Sequence, residues 1–311
     1  MTVNQRGMVL VVMLVLSPAC GGPSQDTEDS AGPLRVVATT SIVGDLVTSI
    51  AGSAVQLETL MGAGVDPHLY KPSAGDVRKM AAAQLIVYNG LHLEGKMTDV
   101  LAEIGTRGVE TLAVPECISG DRLLPVEGFE TMHDPHVWFD VELWAEAAAC
   151  LRDTLMRIDP ENANGYQERG DALITQFAAL HGWVGEQIAT LPEDRRVLVT
   201  AHDAFSYFGR AYGVEVRGLL GVSTAAEAGT ADVQKLAAFI ADRKLPAVFV
   251  ESSVPPRFIE ALTEAVAARG GEVTIGGSLY SDALGNPESP AGTYFGTVEA
   301  NVETIVGALS R

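Results

Sequence analysis

His133 and His136 stand three positions apart in the stretch HDPHVWFD (133–140), beside Asp134 and Asp140. Imidazole nitrogen and carboxylate oxygen together make a donor set suited to a divalent transition metal. Such an ion serves either as a tool for chemistry or as cargo, and what else reaches it decides between them. Of the six histidines, three follow a predicted strand or its loop: His68 in GVDPHLYKPS, His136 in DPHVWFD and His202 in VLVTAHDAF. Asp282 in LYSDALG follows the apolar run VTIGG in the same way and offers an oxygen. Open parallel sheets bind ligands beyond the carboxyl ends of their strands. These four residues are therefore candidates to converge, two from each half of the chain.

The elements that must position them alternate. LRVVATT (34–40) is a short apolar run leading into SIVGDLVTSIAG, whose apolar positions recur at three and four and which ends at Gly52, a strand followed by a helix. The unit recurs in VQLETLM with AGDVRKMAAA, in LIVYNG with GKMTDVLAEIG, and in a strand near VETLAV. After residue 195 the rhythm restarts with RVLVTA, VEVRGLL, AVFVESS and GEVTIGG, separated by helical stretches such as TADVQKLAAFIADRK and PRFIEALTEAVAARG. Alternating β and α units predict parallel sheets with helices on their faces. The expected fold is α/β, with two lobes over 34–158 and 192–311.

Between them, 159–191 predicts one long spine helix. Asp159 and Pro160 read as N-cap and first helical residue. Tyr166, Leu173, Phe177, Leu180, Val184 and Ile188 fall on one apolar stripe. About 29 helical residues would extend roughly 43 Å, and such a spine implies lobes that move little. A break near Gly170 or Gly182 is the alternative.

At the N-terminus, Arg6 precedes the apolar run MVLVVMLVL (8–16) and the small residues before Cys20. The run is too short to span a bilayer, which takes about 20 residues, and reads as a signal peptide over 1–19. A cysteine at the cleavage point resembles the bacterial lipobox, although Ser17 stands where Leu is usual. Lipidation of Cys20, anchoring the chain to a membrane through a tether over 20–33, is the expectation; plain secretion is the alternative. The 311 residues are 47% hydrophobic and carry a formal charge of −19, with a mean hydropathy of +0.18. That balance gives ample core and argues against nucleic acid, which needs basic patches. Cys117 and Cys150 form a disulfide or remain two buried thiols; their spacing does not decide.

The segments GVDPHLYKPSAGDV, GLHLEG, DPHVWFD, VTAHDAFSYFGRAYGVEVRGLLGVST, FVESS and GGSLYSDALG resemble, in order, the motifs of the metal-ion solute-binding proteins of bacterial ABC importers. This is the ZnuA, PsaA and TroA group, and the second half is most similar to its TroA-like members. The resemblance runs from about residue 34 to 311. It implies ligands at His68, His136, His202 and Asp282, and it implies the long spine. The family uses only the second histidine of the HDPH segment, which leaves His133 outside the set. His92 falls in a family motif without being a ligand there, which suggests a rim or structural role. His181 lies on the spine off the apolar stripe and is expected in solvent. Asp66, Asp140 and Glu251 are candidate acceptors for imidazole N–H groups.

Three neutral imidazoles and one carboxylate suit zinc. Family members committed to manganese usually carry Glu where His202 stands, whereas many zinc receptors have a histidine-rich loop that 119–132 lacks. TroA-like members are associated with both metals, and zinc outbinds manganese at most nitrogen and oxygen sites. Zinc ranks first and manganese second, as transported ligand. No HExxH motif occurs, and protein donors fill the four positions, so no open edge is left for hydrolytic water. The expected function is an extracytoplasmic, monomeric receptor that captures the ion between its lobes and delivers it to an ABC permease driven by a cytoplasmic ATPase. It is not expected to be an enzyme. An exported zinc metallohydrolase and a surface adhesin are the rivals from other classes. The first needs a solvent-accessible metal edge, the second an exposed binding face.

Overall fold

A computed structural model of the chain describes residues 1–2, 32–126, 128–226 and 228–311. Arg6, Cys20 and nearly all of the expected leader and tether lie outside the described residues. Pro33–Arg311 forms a compact unit of its own.

Its first half is built from β1 (Leu34–Ala38), α1 (Ser41–Ala51), β2 (Val55–Thr59), α2 (Ala74–Ala82), β3 (Leu85–Tyr88), α3 (Thr98–Thr106) and β4 (Glu110–Ala113). Local chemistry sets the helix ends. The Thr40 side chain accepts from the Val43 N–H to start α1, and Ser73 and Asp76 form a reciprocal capping box on α2. Gly52 stops α1 at a φ of 56°, a conformation that costs an L side chain energy. The four strands form one parallel sheet in the order β2-β1-β3-β4. The carboxyl ends of β1 and β3 therefore flank a point where the chain direction across the sheet reverses.

A short antiparallel hairpin, β5 (Pro125–Val126) and β6 (Phe129–His133), follows. It occupies a stretch read from sequence as a loop. Asp140 then caps α4 (Val141–Ile158), its carboxylate accepting from Glu142 N–H and Leu143 N–H. The spine is α5 (Ala163–Ala189), 27 residues or about 40 Å long, and all six predicted stripe residues are buried. One detail differs from expectation. Asp159 and Pro160 are the cap and first residue of a helical start as read, but of a 3-10 turn at Pro160–Asn162. The α-helical spine follows at Ala163, and the Asp159 N–H also closes α4 by donating to Leu155. Gly170 does not break the helix. It lets α4 approach, since a Cβ there would lie 2.6 Å from the Arg152 side chain.

The second half contains β7 (Val197–His202), α6 (Ser206–Tyr212), β8 (Glu215–Leu220), α7 (Thr230–Arg243), β9 (Ala247–Glu251), α8 (Arg257–Ala268), β10 (Thr274–Leu279) and α9 (Tyr294–Leu309). β7 pairs with β8 and β9 with β10, both in parallel, and β7 lies against β9. The protein is thus α/β, with parallel strands flanked by helices in both lobes and one long helix between.

The largest apolar cluster runs from β1, β3 and α1 through α4 and α5 into β7, β9 and α9. Separate clusters cover the outer faces, one under α2 and α3 and one under α7 and α8. A core shared between the lobes resists their separation, because parting them exposes apolar surface. Cys117, just after β4, is disulfide-bonded to Cys150 of α4, with Cα atoms 6.1 Å apart.

Candidate metal centre

After β2 the chain enters a loop in which Asp66, Pro67 and His68 make a tight turn. The Asp66 carboxylate accepts the His68 backbone N–H at 2.8 Å. The same tripeptide recurs at Asp134, Pro135 and His136, where Asp134 accepts the His136 N–H at 2.9 Å. An aspartate bonding the backbone two residues on is the local device that gives both turns their shape. His202 is the last residue of β7, and its N–H donates to Glu251 at the end of β9, at 2.8 Å. Asp282 follows β10. Its neighbour Ser281 accepts, through the carbonyl, from Trp138 Nε1 at 3.1 Å.

These turns bring His68, His136, His202 and Asp282 together. One donor atom from each lies within 4.8 Å of every other, and no residue of the four is more than 3% exposed. His136 Nε2 and His202 Nε2 are 3.3 Å apart. Each is 3.4 Å from an Asp282 oxygen, whereas His68 Nε2 is 3.9 Å from Asp282. Four donors around a tetrahedral zinc ion would stand about 3.3 Å from one another, so three donors sit at that spacing and His68 slightly outside it. Among the described residues, His68 Nε2 and Asp282 Oδ1 are buried without a hydrogen-bond partner. Buried polar atoms left unpaired are costly, and one shared cation satisfies both. The donor set and its geometry fit a divalent metal ion.

Behind two of the imidazoles stand carboxylates. Asp134 lies 2.7 Å from His136 Nδ1, and Glu251 lies 2.6 Å from His202 Nδ1. Each fixes the ring so that Nε2 faces the centre, the arrangement usual for metal-bound histidine. Glu251 fulfils the acceptor role expected of it. Asp140 does not: it caps α4 and pairs with Arg210. Asp66 serves the His68 backbone instead of its ring. Asp134 was missed, although the repeated DPH tripeptide was a visible signal for it.

The charges are strongly coupled. Burial pulls the His136 imidazole down, but the Asp134 and Asp282 carboxylates outweigh it and raise its pKa to about 9. Burial opposes the same effect at His202, where Glu251 and Asp282 raise the pKa well above its ordinary value. At Asp282 burial favours the neutral acid, yet His202 and His136 hold the carboxyl well below the usual range. Burial dominates at His68, which among the described residues has no carboxylate hydrogen-bonded behind its ring, and lowers it to about 3. The carboxylates beside and behind the rings thus favour the protonated form of His136 and of His202.

The remaining histidines lie elsewhere. His133 ends β6 and, with exposed His92, lines a separate cleft of about 600 Å³. His92 belongs to a tight turn in which Gly90, Leu91 and His92 all have positive φ. Buried Glu94 supports that turn by accepting the backbone N–H groups of Asn89 and Gly90 and the Thr39 hydroxyl. Asn89 in turn donates to the Pro135 carbonyl at 3.0 Å, so GLHLEG braces the His136 loop. His181 is half-buried rather than solvated, its ring 3.2 Å from the Tyr212 hydroxyl.

On the other side of His202, Gly218 of β8 lets the strand close in. A Cβ there would lie 2.4 Å from Asp203 N and 2.7 Å from the His202 carbonyl carbon. Gly218→Ala is expected to destabilise the protein by about 1–3 kcal/mol through overpacking, read as a lowered midpoint in denaturant unfolding. An unchanged midpoint would show that β8 can move away freely.

The family profile for "Zinc-uptake complex component A periplasmic" matches residues 36–308. The chain is 50% identical to the zinc-binding protein TroA of Treponema pallidum over 289 residues, 93% of this chain and 92% of that one. It is 42% identical to the manganese-binding lipoprotein MntA of Bacillus subtilis over 306 residues, 98% and 99% of the two chains. Its fold superimposes on the solved periplasmic zinc-binding protein TroA from Treponema pallidum with a TM-score of 0.87, covering 90% of this chain and all of that one. Agreement over nearly the whole length, in sequence and in fold, makes this chain a member of the zinc-uptake complex component A family of periplasmic proteins.

Proposed function

We propose that the protein binds one divalent transition-metal ion, zinc first and manganese second, through His68, His136, His202 and Asp282, and delivers it to an ABC permease with its cytoplasmic ATPase. The observation that carries this reading is the convergence of four buried donor atoms, two of them without a hydrogen-bond partner among the described residues. Relatives named for zinc and for manganese binding support the metal class. Four protein donors around a closed centre suit retention and release of cargo; a hydrolytic site keeps one position open for water. The chain is accordingly read as a receptor and not an enzyme. It works as a monomer outside the cytoplasmic membrane, anchored by lipid on Cys20, an assignment that relatives named as lipoproteins support. The lobes span 34–158 and 192–311, with 159–191 as the link.

Elemental analysis of the protein isolated from its native envelope tests the reading. About one zinc or manganese per chain is expected, and a metal-free protein would end it. In His202→Glu a hard oxygen replaces an imidazole, and Glu251 faces a second carboxylate. The expected outcome is a shift of the bound metal from zinc towards manganese in a competitive mixture. An unchanged ratio would remove position 202 as the selectivity element.

A further inference from the structure

The two DPH turns are used differently. At His136 the aspartate holds both the backbone and the ring, and His202 is held in the same double manner by Glu251. The Asp282 segment is tied to both lobes. The Ser281 carbonyl accepts from Trp138 Nε1, the Leu284 N–H donates to Ser41 Oγ at 3.0 Å, and the Ser252 N–H donates to the Leu279 carbonyl at 2.8 Å. Three of the four donors thus sit on fixed supports.

His68 does not. Among the described residues no side chain hydrogen-bonds its ring, and it is the donor farthest from the others. Its loop is held from elsewhere: the second oxygen of Asp66 accepts from the Thr224 hydroxyl at 2.6 Å. Thr224 lies across the cleft, in the segment between β8 and α7. Among the described residues this is the only hydrogen bond between segment 62–72 and the second lobe. Gly64 also comes near the second lobe, where a Cβ would lie 3.5 Å from the Ser252 carbonyl oxygen.

We propose that Thr224 is a positioning residue for metal retention: its hydrogen bond to Asp66 holds the His68 loop closed across the cleft and so limits the rate at which the ion leaves. The inference rests on the reading of the four residues as ligands. The site then opens by movement of one loop, while the shared core keeps the lobes in place. A hydrogen bond to a charged group is strong enough to shift such an opening equilibrium by about ten- to a hundredfold.

The test is stopped-flow release of zinc from the full protein into excess chelator. Thr224→Val, which keeps the shape and loses the donor, is expected to speed release about ten- to a hundredfold, whereas Thr224→Ser keeps the hydroxyl and the parental rate. In an Asp66→Ala background, Thr224→Val should add nothing, since the bond is already gone. A valine variant that releases at the parental rate overturns the proposal, and so does a serine variant as fast as valine or full additivity with Asp66→Ala. Should valine fail to fold, Thr224→Ala against Thr224→Ser makes the same comparison. A parent protein that takes up no zinc would overturn the ligand reading as well, which separates that failure from failure of the latch alone.

Discussion

Asp282→Asn is expected to weaken zinc binding at pH 9.5 by about a hundred- to several-thousandfold, the scale set by removing one partner from a buried charge pair. Asp282 is the sole anion among the four donors, and its oxygens face the Nε2 atoms of all three histidines at 3.4–3.9 Å. Asparagine keeps the shape and one carbonyl oxygen but removes the charge that compensates the ion. The same substitution also removes the carboxylate that helps hold protons on His136 and His202. Proton competition is therefore weaker in the variant, and the loss relative to the parent should be smaller at pH 7 than at pH 9.5. Chelator competition at both pH values measures this. Affinity within about tenfold of the parent at pH 9.5 would mean that charge at position 282 is not what holds the ion.

The converging residues were legible in the sequence because the chemistry is rare and locally marked. Six histidines occur in 311 residues; five of them end or follow strands, and the resemblance of the ordered motifs is what set His68, His136 and His202 apart from His92 and His133. The parallel lobes were legible from alternating periodicities, and the spine from a stripe that stays in phase over Tyr166 to Ile188. Contacts made at long range in sequence were not. Nothing local to Thr224 marks it as a partner of Asp66, 158 positions away, and nothing in the spacing of Cys117 and Cys150 gives their distance. Asp140 and Asp159 illustrate a different limit. Each is an aspartate at a helix boundary: Asp140 gives its carboxylate to the start of α4, while Asp159 gives its N–H to the end of α4 and also caps the 3-10 turn that leads into the spine. Local signals name such a residue's possible partners; packing chooses among them.

Zinc binding at pH 7.5 is expected to release about two protons, because a divalent ion needs the imidazole nitrogens deprotonated. The sign follows from the raised pKa values. Below about 9, His136 carries a proton that Asp134 and Asp282 stabilise against the cost of burial, and His202 is raised in the same sense by Glu251 and Asp282. An ion at the centre must displace both. His68, lowered to about 3, is already neutral and contributes none. Apparent affinity should then fall as pH drops from about 9, by up to two decades per pH unit while both protons compete. The unperturbed imidazole value of about 6.5 would have placed the fall lower, and the carboxylates behind and beside the rings move it upward. Calorimetric titration in buffers of different ionisation enthalpy counts the protons directly. A count near zero, or affinity flat between pH 6.5 and 9, would show that the metal-free centre holds neutral imidazoles. Glu251→Gln supplies the complementary check: with the carboxylate behind His202 neutralised, release at pH 7.5 should drop by about one proton. Affinity itself should weaken roughly ten- to a hundredfold, as for other partners of metal-bound histidine.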